Sequence, residues 1–308
     1  MVYIFMIKHI VINGGGPTGL LCYGALKYLF ENDFIHLDNI KSVYGTSAGA
    51  IIAAIILLKY DWATLDDYIL KRPWSKVFKL EPDNLFEMYT SKGLFQFDLV
   101  KELLEPLLTA KDLSEDITLQ EFYEFNKIDF HCFTVEMNSF QKIDLNHKTH
   151  PDLSLIKALN MSSAVPLLFK PIIEEDKCYV DGGVLDNYPI DECMFTQQCK
   201  EDEVLGIKNK WTNNEHVINN EMNIFQYLQS SLSQMINHIR VNQNNTRSTP
   251  KRSIRYEVKC VCDKNLADYA KWFEYMTNGE KMKELIDEGK TYAELFLNYE
   301  NELGQSAI

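Results

Sequence analysis

The chain is short of positive charge: 31 lysines and arginines face 44 aspartates and glutamates, giving −13 over 308 residues. That deficit opposes nucleic-acid binding and simple electrostatic attraction to an anionic bilayer, since both targets carry the same sign. Long hydrophobic runs are also missing. The longest, Ala48 to Leu58, falls well below the roughly 20 residues a membrane-spanning helix needs. Met1 to Ile12 is apolar but has neither a charged leader nor a small-residue cleavage site, so no secretory signal is expected. The expected location is intracellular, soluble or peripherally attached to a membrane. The seven cysteines are an odd, dispersed set apart from Cys260 and Cys262. They read as reduced thiols, with Cys22 as a core residue. His131, His147 and His150 have no metal-ligand partner at useful spacing, so neither a metal nor a cofactor is expected.

Repeats, low-complexity tracts and strong linkers are absent as well, and 46% hydrophobic content is enough for a sizeable core. The chain reads as one α/β domain, with a core over residues 8–205 completed by a strand and helices within 206–308. The polar stretch Val241 to Arg252 reads as a loop. It precedes an alternating strand, Ile254 to Val261, near a sheet edge. Ala270 to Leu297 read as closing helices.

What the chain does have is Gly45-Thr46-Ser47-Ala48-Gly49, set between the apolar stretch Ile40 to Tyr44 and the helix-forming run Ala50 to Leu58. A serine at a sharp strand-to-helix turn projects its hydroxyl outward, and Gly45 and Gly49 remove Cβ atoms where the backbone doubles back. The positive end of the following helix points at the place where negative charge develops in acyl transfer. Ser47 is thus a candidate nucleophile, and an ordinary helix N-cap is the alternative.

Asn13-Gly14-Gly15-Gly16-Pro17-Thr18-Gly19 follows a strand, His9 to Ile12, and opens a helix, Leu20 to Glu31. Bare backbone N–H groups there suit an anion or a carbonyl oxygen. Read as a dinucleotide fingerprint, the same loop would need an acid at the end of the second strand. The available residue, Asp38, precedes that strand, and Gly45 and Ser47 stand at its end. Both loops then belong to one right-handed βαβ unit, at the carboxyl edge where open α/β sheets bind ligands. Gly14, Gly15, Gly16 and the N–H of Ala48 are candidate oxyanion-hole donors.

A nucleophilic hydroxyl needs a base. Asp181-Gly182-Gly183 follows a strand, Cys178 to Val180, and precedes Asn187-Tyr188-Pro189. A plain β-turn is the alternative reading of Asp-Gly.

Together these segments resemble the patatin-like phospholipase family, which orders a G-G-G-x-x-G loop, a G-x-S-x-G elbow and a D-G-[AG] motif in this way. Ser162-Ser163-Ala164-Val165-Pro166, followed by Phe169-Lys170-Pro171, is similar to the family's S-A-x-P and F-x-P blocks. The resemblance covers roughly residues 8–190. It implies a three-layer α/β/α sandwich with a mostly parallel sheet, and metal-independent lipid acyl hydrolysis through a Ser47–Asp181 dyad. The oxyanion hole would come from Gly14, Gly15, Gly16 and Ala48, supported by Gly19, Gly45, Gly49, Gly182 and Gly183. One departure is Pro17-Thr18, where many members carry a basic residue; the lost cation would weaken oxyanion or phosphate stabilisation, or change head-group preference.

A carboxylate with a reference pKa near 3.9 is a weaker base than imidazole near 6.5, a handicap of roughly 3.5 kcal/mol. Desolvation and a short Ser–Asp hydrogen bond would offset it. Competing readings are a Ser–Asp–His triad using His216 or His238, a nucleotide-binding module, and a catalytically silent lipid carrier. The aromatic segment Trp74 to Phe97 reads either as a cap over an acyl-chain cleft or membrane contact, or as core packing. The expected partner is a lipid substrate.

Overall fold

The computed structural model describes residues 6–77, 90, 92–95, 99–211, 218–246, 253–262 and 269–306. His9–Ile12 (β1), Ser42–Thr46 (β2), Asp129–Glu136 (β4), Val204–Trp211 (β9) and Tyr256–Cys262 (β10) form the parallel part of one sheet, in the order β10-β9-β1-β2-β4. Gln141–Leu145 (β5), Ile172–Glu174 (β7) and Lys177–Asp181 (β8) complete it on antiparallel ladders. Gly93–Phe95 (β3) and Leu167–Phe169 (β6) pair separately. β1 and β2 are buried at every residue, as expected of parallel strands covered on both faces.

Side-chain alternation along these strands builds the three layers. Ile10, Ile12, Val43, Leu205 and Ile207 enter the large core on one face. There Gly19–Glu31 (α1), Ala48–Leu57 (α2) and Gly279–Ser306 supply the facing side chains. Val11, Tyr44, Phe133 and Val204 enter the opposite core, covered by Ile190–Gln197 through Ile190, Cys193 and Met194. The chain is a three-layer α/β/α sandwich with a mostly parallel sheet. Among the described residues no helix is long and apolar enough to cross a membrane.

Two boundaries differ from the sequence reading. The second strand starts at Ser42 and runs through Gly45 and Thr46, because β1 holds it in register as far as Gly45 and β4 as far as Thr46. Val241 to Thr246 belong to a long helix, Ile224–Thr246; a helix already anchored by packing propagates cheaply through asparagine and glutamine. Trp74 follows the core-packing reading of the aromatic segment: it is 4% exposed and its indole N–H donates to the Ile69 carbonyl. Phe78, Leu85, Phe86, Met88, Tyr89 and Phe97, from the same aromatic segment, lie outside the described residues.

Candidate active site

Strand β4 brings the two halves of the site together. Its residues Asp129 to Phe133 pair with β2, Thr134 to Glu136 pair with β8, and β5 spans Cys132 to Glu136. Because β5 overlaps both other ladders, it occupies one edge of β4, and β2 and β8 must share the other. They run toward each other along that edge and stop at consecutive positions, Thr46 opposite Phe133 and Asp181 opposite Thr134. Ser47 and Asp181, far apart in sequence, are thereby delivered to the same point.

The Ser47 hydroxyl lies beside the Asp181 carboxylate, close enough to favour its ionised form. Ser47 sits at φ 55°, ψ −127°, a left-handed conformation that costs a non-glycine residue about 1–3 kcal/mol. The turn is tight enough that a Cβ on Gly45 would stand 2.6 Å from the Ala50 nitrogen, and one on Gly49 would stand 2.5 Å from the Ile12 carbonyl oxygen. The Ser47 N–H donates to Ser162 Oγ at 3.0 Å, and Ser162 donates in turn to the Phe133 carbonyl at 2.7 Å. The Thr134 hydroxyl reaches the carbonyls of Met161 and Val180, and the Asp181 N–H donates to Ala164. The Ser162 to Ala164 block thus ties the helix Leu155–Ser163 to both converging strands.

Asp181 is buried, and burial lifts its carboxyl from 3.8 to about 6. The neighbouring Ser47 hydroxyl, the Gly183 N–H at 2.6 Å and the positive charge of Arg240 all act in the opposite direction. Gly182 packs against the Phe133 carbonyl and Thr46, so a side chain there would force β8 and β2 apart.

The glycine loop lies across the same end of the sheet. The Gly14 N–H donates to the Asn187 carbonyl at 3.0 Å, and the Gly14 carbonyl accepts from the side chains of Asn187 and Asn209. Gly14 is therefore a clamped anchor rather than a free donor. Among the described residues the N–H groups of Gly15, Gly16 and Ala48 have no protein acceptor. Gly16, at φ 59°, lies flat under the Trp272 ring, where a Cβ would stand 2.5 Å from the indole. Gly19 opens α1 against Ala48, the first residue of α2.

A cavity of about 250 Å³ opens beside these groups. Gly16, Ser47 and Ala48 line it together with apolar side chains that include Ile51, Phe95, Leu168, Ile172, Trp272 and Met276.

The other sequence candidates do not converge here. Asp38 lies in a single turn before β2, at the wrong end of the strand for a ribose. His238 is exposed and pairs with Asn242; His216 lies outside the described residues. His131 stacks on Tyr44 and bonds Asp144 through Nδ1. Ser162 and Asn187 stood inside segments already singled out, but no role was legible for them. Asn209, Arg240 and Trp272 carry no local motif at all.

A model of the patatin-like phospholipase family matches residues 10–194. The chain belongs to the patatin-like phospholipase family. Among its relatives, a probable lipid hydrolase, 463L, of Invertebrate iridescent virus 6 is 27% identical over 186 residues, 60% of this chain and 62% of that protein. Protein R571 of Acanthamoeba polyphaga mimivirus is 29% identical over 189 residues, 60% of each chain. The chain thus spans about three fifths of the length of these relatives. Among solved structures, VipD from Legionella pneumophila aligns over 91% of this chain and 67% of its own with a TM-score of 0.50 and 15% identity, a likeness of fold. In this patatin-like chain the glycine loop, the elbow and Asp181 all fall inside the matched region, whereas Asn209, Arg240 and Trp272 fall outside it.

Proposed function

We propose that this protein is a lipid acyl hydrolase that cleaves carboxylic esters of phospholipids or related glycerolipids through Ser47 and Asp181, without a metal. The observation that carries the reading is the placement of the Ser47 hydroxyl beside a buried carboxylate at the edge of an apolar cavity. Ser47 Oγ attacks the ester carbonyl while its proton passes to Asp181, and the developing oxyanion accepts from the N–H groups of Gly15, Gly16 and Ala48. Asp181 returns the proton to the leaving alcohol, then takes one from the water that hydrolyses acyl-Ser47. A carboxyl held at about 6 nearly matches imidazole, which removes most of the handicap of using a carboxylate as base. The cavity suits an acyl chain. Lys170, the one charged side chain among the described residues lining it, offers a head group the cation that Pro17-Thr18 lack.

A fluorophosphonate probe tests the nucleophile, and a panel of phospholipids and neutral glycerolipids tests the substrate. Wild type is expected to be labelled at Ser47 and to release fatty acid; Ser47→Ala is expected to do neither. Asp181→Asn is expected to lose at least ~10³-fold in turnover, the scale seen when a base or its orienting partner is removed. Full turnover by either variant would overturn the assignment.

A further inference from the structure

We propose that the outward face of the helix Ile224–Thr246 docks this protein on an anionic phospholipid surface. The negative charge of the chain is not spread evenly. From Ile224 to Arg255 there is no aspartate or glutamate, and the run carries Arg240, Arg247, Lys251, Arg252 and Arg255; all 44 acidic residues lie elsewhere. Within the helix itself Arg240 is the one lysine or arginine, the other four following it in the sequence, and a helix free of anions, set in an acidic chain, approaches anionic head groups without repulsion.

The helix is also two-faced. Ile236 and Ile239 pack on the cluster of Val135, Val180, Val184 and Leu185 around the end of β8, and the Arg240 charge acts on Asp181. Gln229 and Ser230 are buried as well, and about half a turn round the helix from them stand Ile224, Tyr227, Leu228 and Met235, exposed by 72%, 47%, 39% and 62%. Glutamine and serine, with the half-buried Phe225 and Leu232, fill the positions between them. Large apolar side chains raised from a neutral polar helix surface insert between head groups, and the absence of anions lets the surface field add to that attraction. A second copy of the chain is a poorer occupant, because a stable protein interface takes about 20–30 residues a side and this stripe presents one row. The helix packs around the end of β8, so docking on its outward face would hold the site about one helix diameter, ~10 Å, from the lipid layer.

This inference rests on the lipid reading of the site, and the two fail separately. Full-length protein is floated with phosphatidylcholine vesicles, with and without phosphatidylserine. In parallel, hydrolysis of a short, monomeric soluble ester reports on the site alone. Wild type is expected to float with the anionic vesicles and much less with neutral ones. Ile224→Glu combined with Met235→Glu is expected to lower the bound-to-free ratio by about ten-fold or more, with soluble-ester turnover within about two-fold of wild type. The milder pair Ile224→Gln and Met235→Gln guards against misfolding and is expected to lose binding in part. Equal flotation with both vesicle types, or undiminished flotation of both variants, overturns the proposal. So does a concentration-dependent dimer that the variants abolish. Absence of soluble-ester turnover in wild type instead refutes the hydrolase reading.

Discussion

A carboxyl pushed up by burial makes opposite demands on activity and on stability. As a base, Asp181 works only when ionised, so kcat/KM on a soluble ester is expected to rise through pH 6 and level off above it. For stability the sign reverses. The folded-state value, about 6, lies above the reference 3.8. The folded protein therefore holds a proton that the unfolded chain releases, and the stabilisation, full below the lower value, is lost as pH rises through the upper one. By pH 7 that loss amounts to roughly 3 kcal/mol. Asp181→Asn carries no charge to desolvate and still accepts from Gly183. Its stability relative to wild type, from denaturant midpoints at pH 4 and pH 7, is expected to improve at the higher pH; no improvement would mean the carboxyl is not raised. Ser47 stores a second cost in its left-handed backbone. Ser47→Gly and Ser47→Ala lose the same hydroxyl, but only glycine relaxes at φ 55°. The glycine variant is expected to be the more stable by about 1 kcal/mol.

At the scale of elements, the legible parts were those in which chemistry is local. Two buried strands, the glycine turn between them and the elbow are each written in a few adjacent residues, and the resemblance to a family ordered them. The end-to-end meeting of β2 and β8 on one edge of β4 was not legible, because strand registers are set by pairings between distant segments. Nor was the contact between α1 and the C-terminal helix. There Gly24 lies against the Ile286 carbonyl and Gly289 against the Leu21 carbonyl, so each helix lacks a side chain where the other's backbone passes. In sequence both are merely glycines inside helices, where glycine normally costs stability. Gly24→Ala would raise intrinsic helix propensity yet force two backbones apart. The clash is expected to dominate, destabilising the protein by about 1–3 kcal/mol or more in a denaturant titration. A stabilised variant would show that the helices separate without cost.

Across the whole molecule, the site draws on segments from both ends of the chain: the loop at Gly14 to Gly16, the elbow, Asp181, and the helix Tyr269–Thr277 that brings Trp272 over Gly16. The family match ends at residue 194, so this last helix supplies part of the cavity wall that the shared motifs do not. Trp272 was invisible in the sequence because an aromatic residue in an amphipathic helix looks the same whether it faces a core or a cleft. Trp272 lines the cavity through its ring, which also lies against Gly16. Truncating it should therefore affect how an acyl chain is held and leave the chemical groups in place. Trp272→Ala is expected to lower kcat/KM by roughly ten-fold or more for long-chain esters, with acetyl or butyryl esters little changed. If short and long esters fall together, the indole acts on the geometry of the glycine loop beneath it and not on the acyl chain.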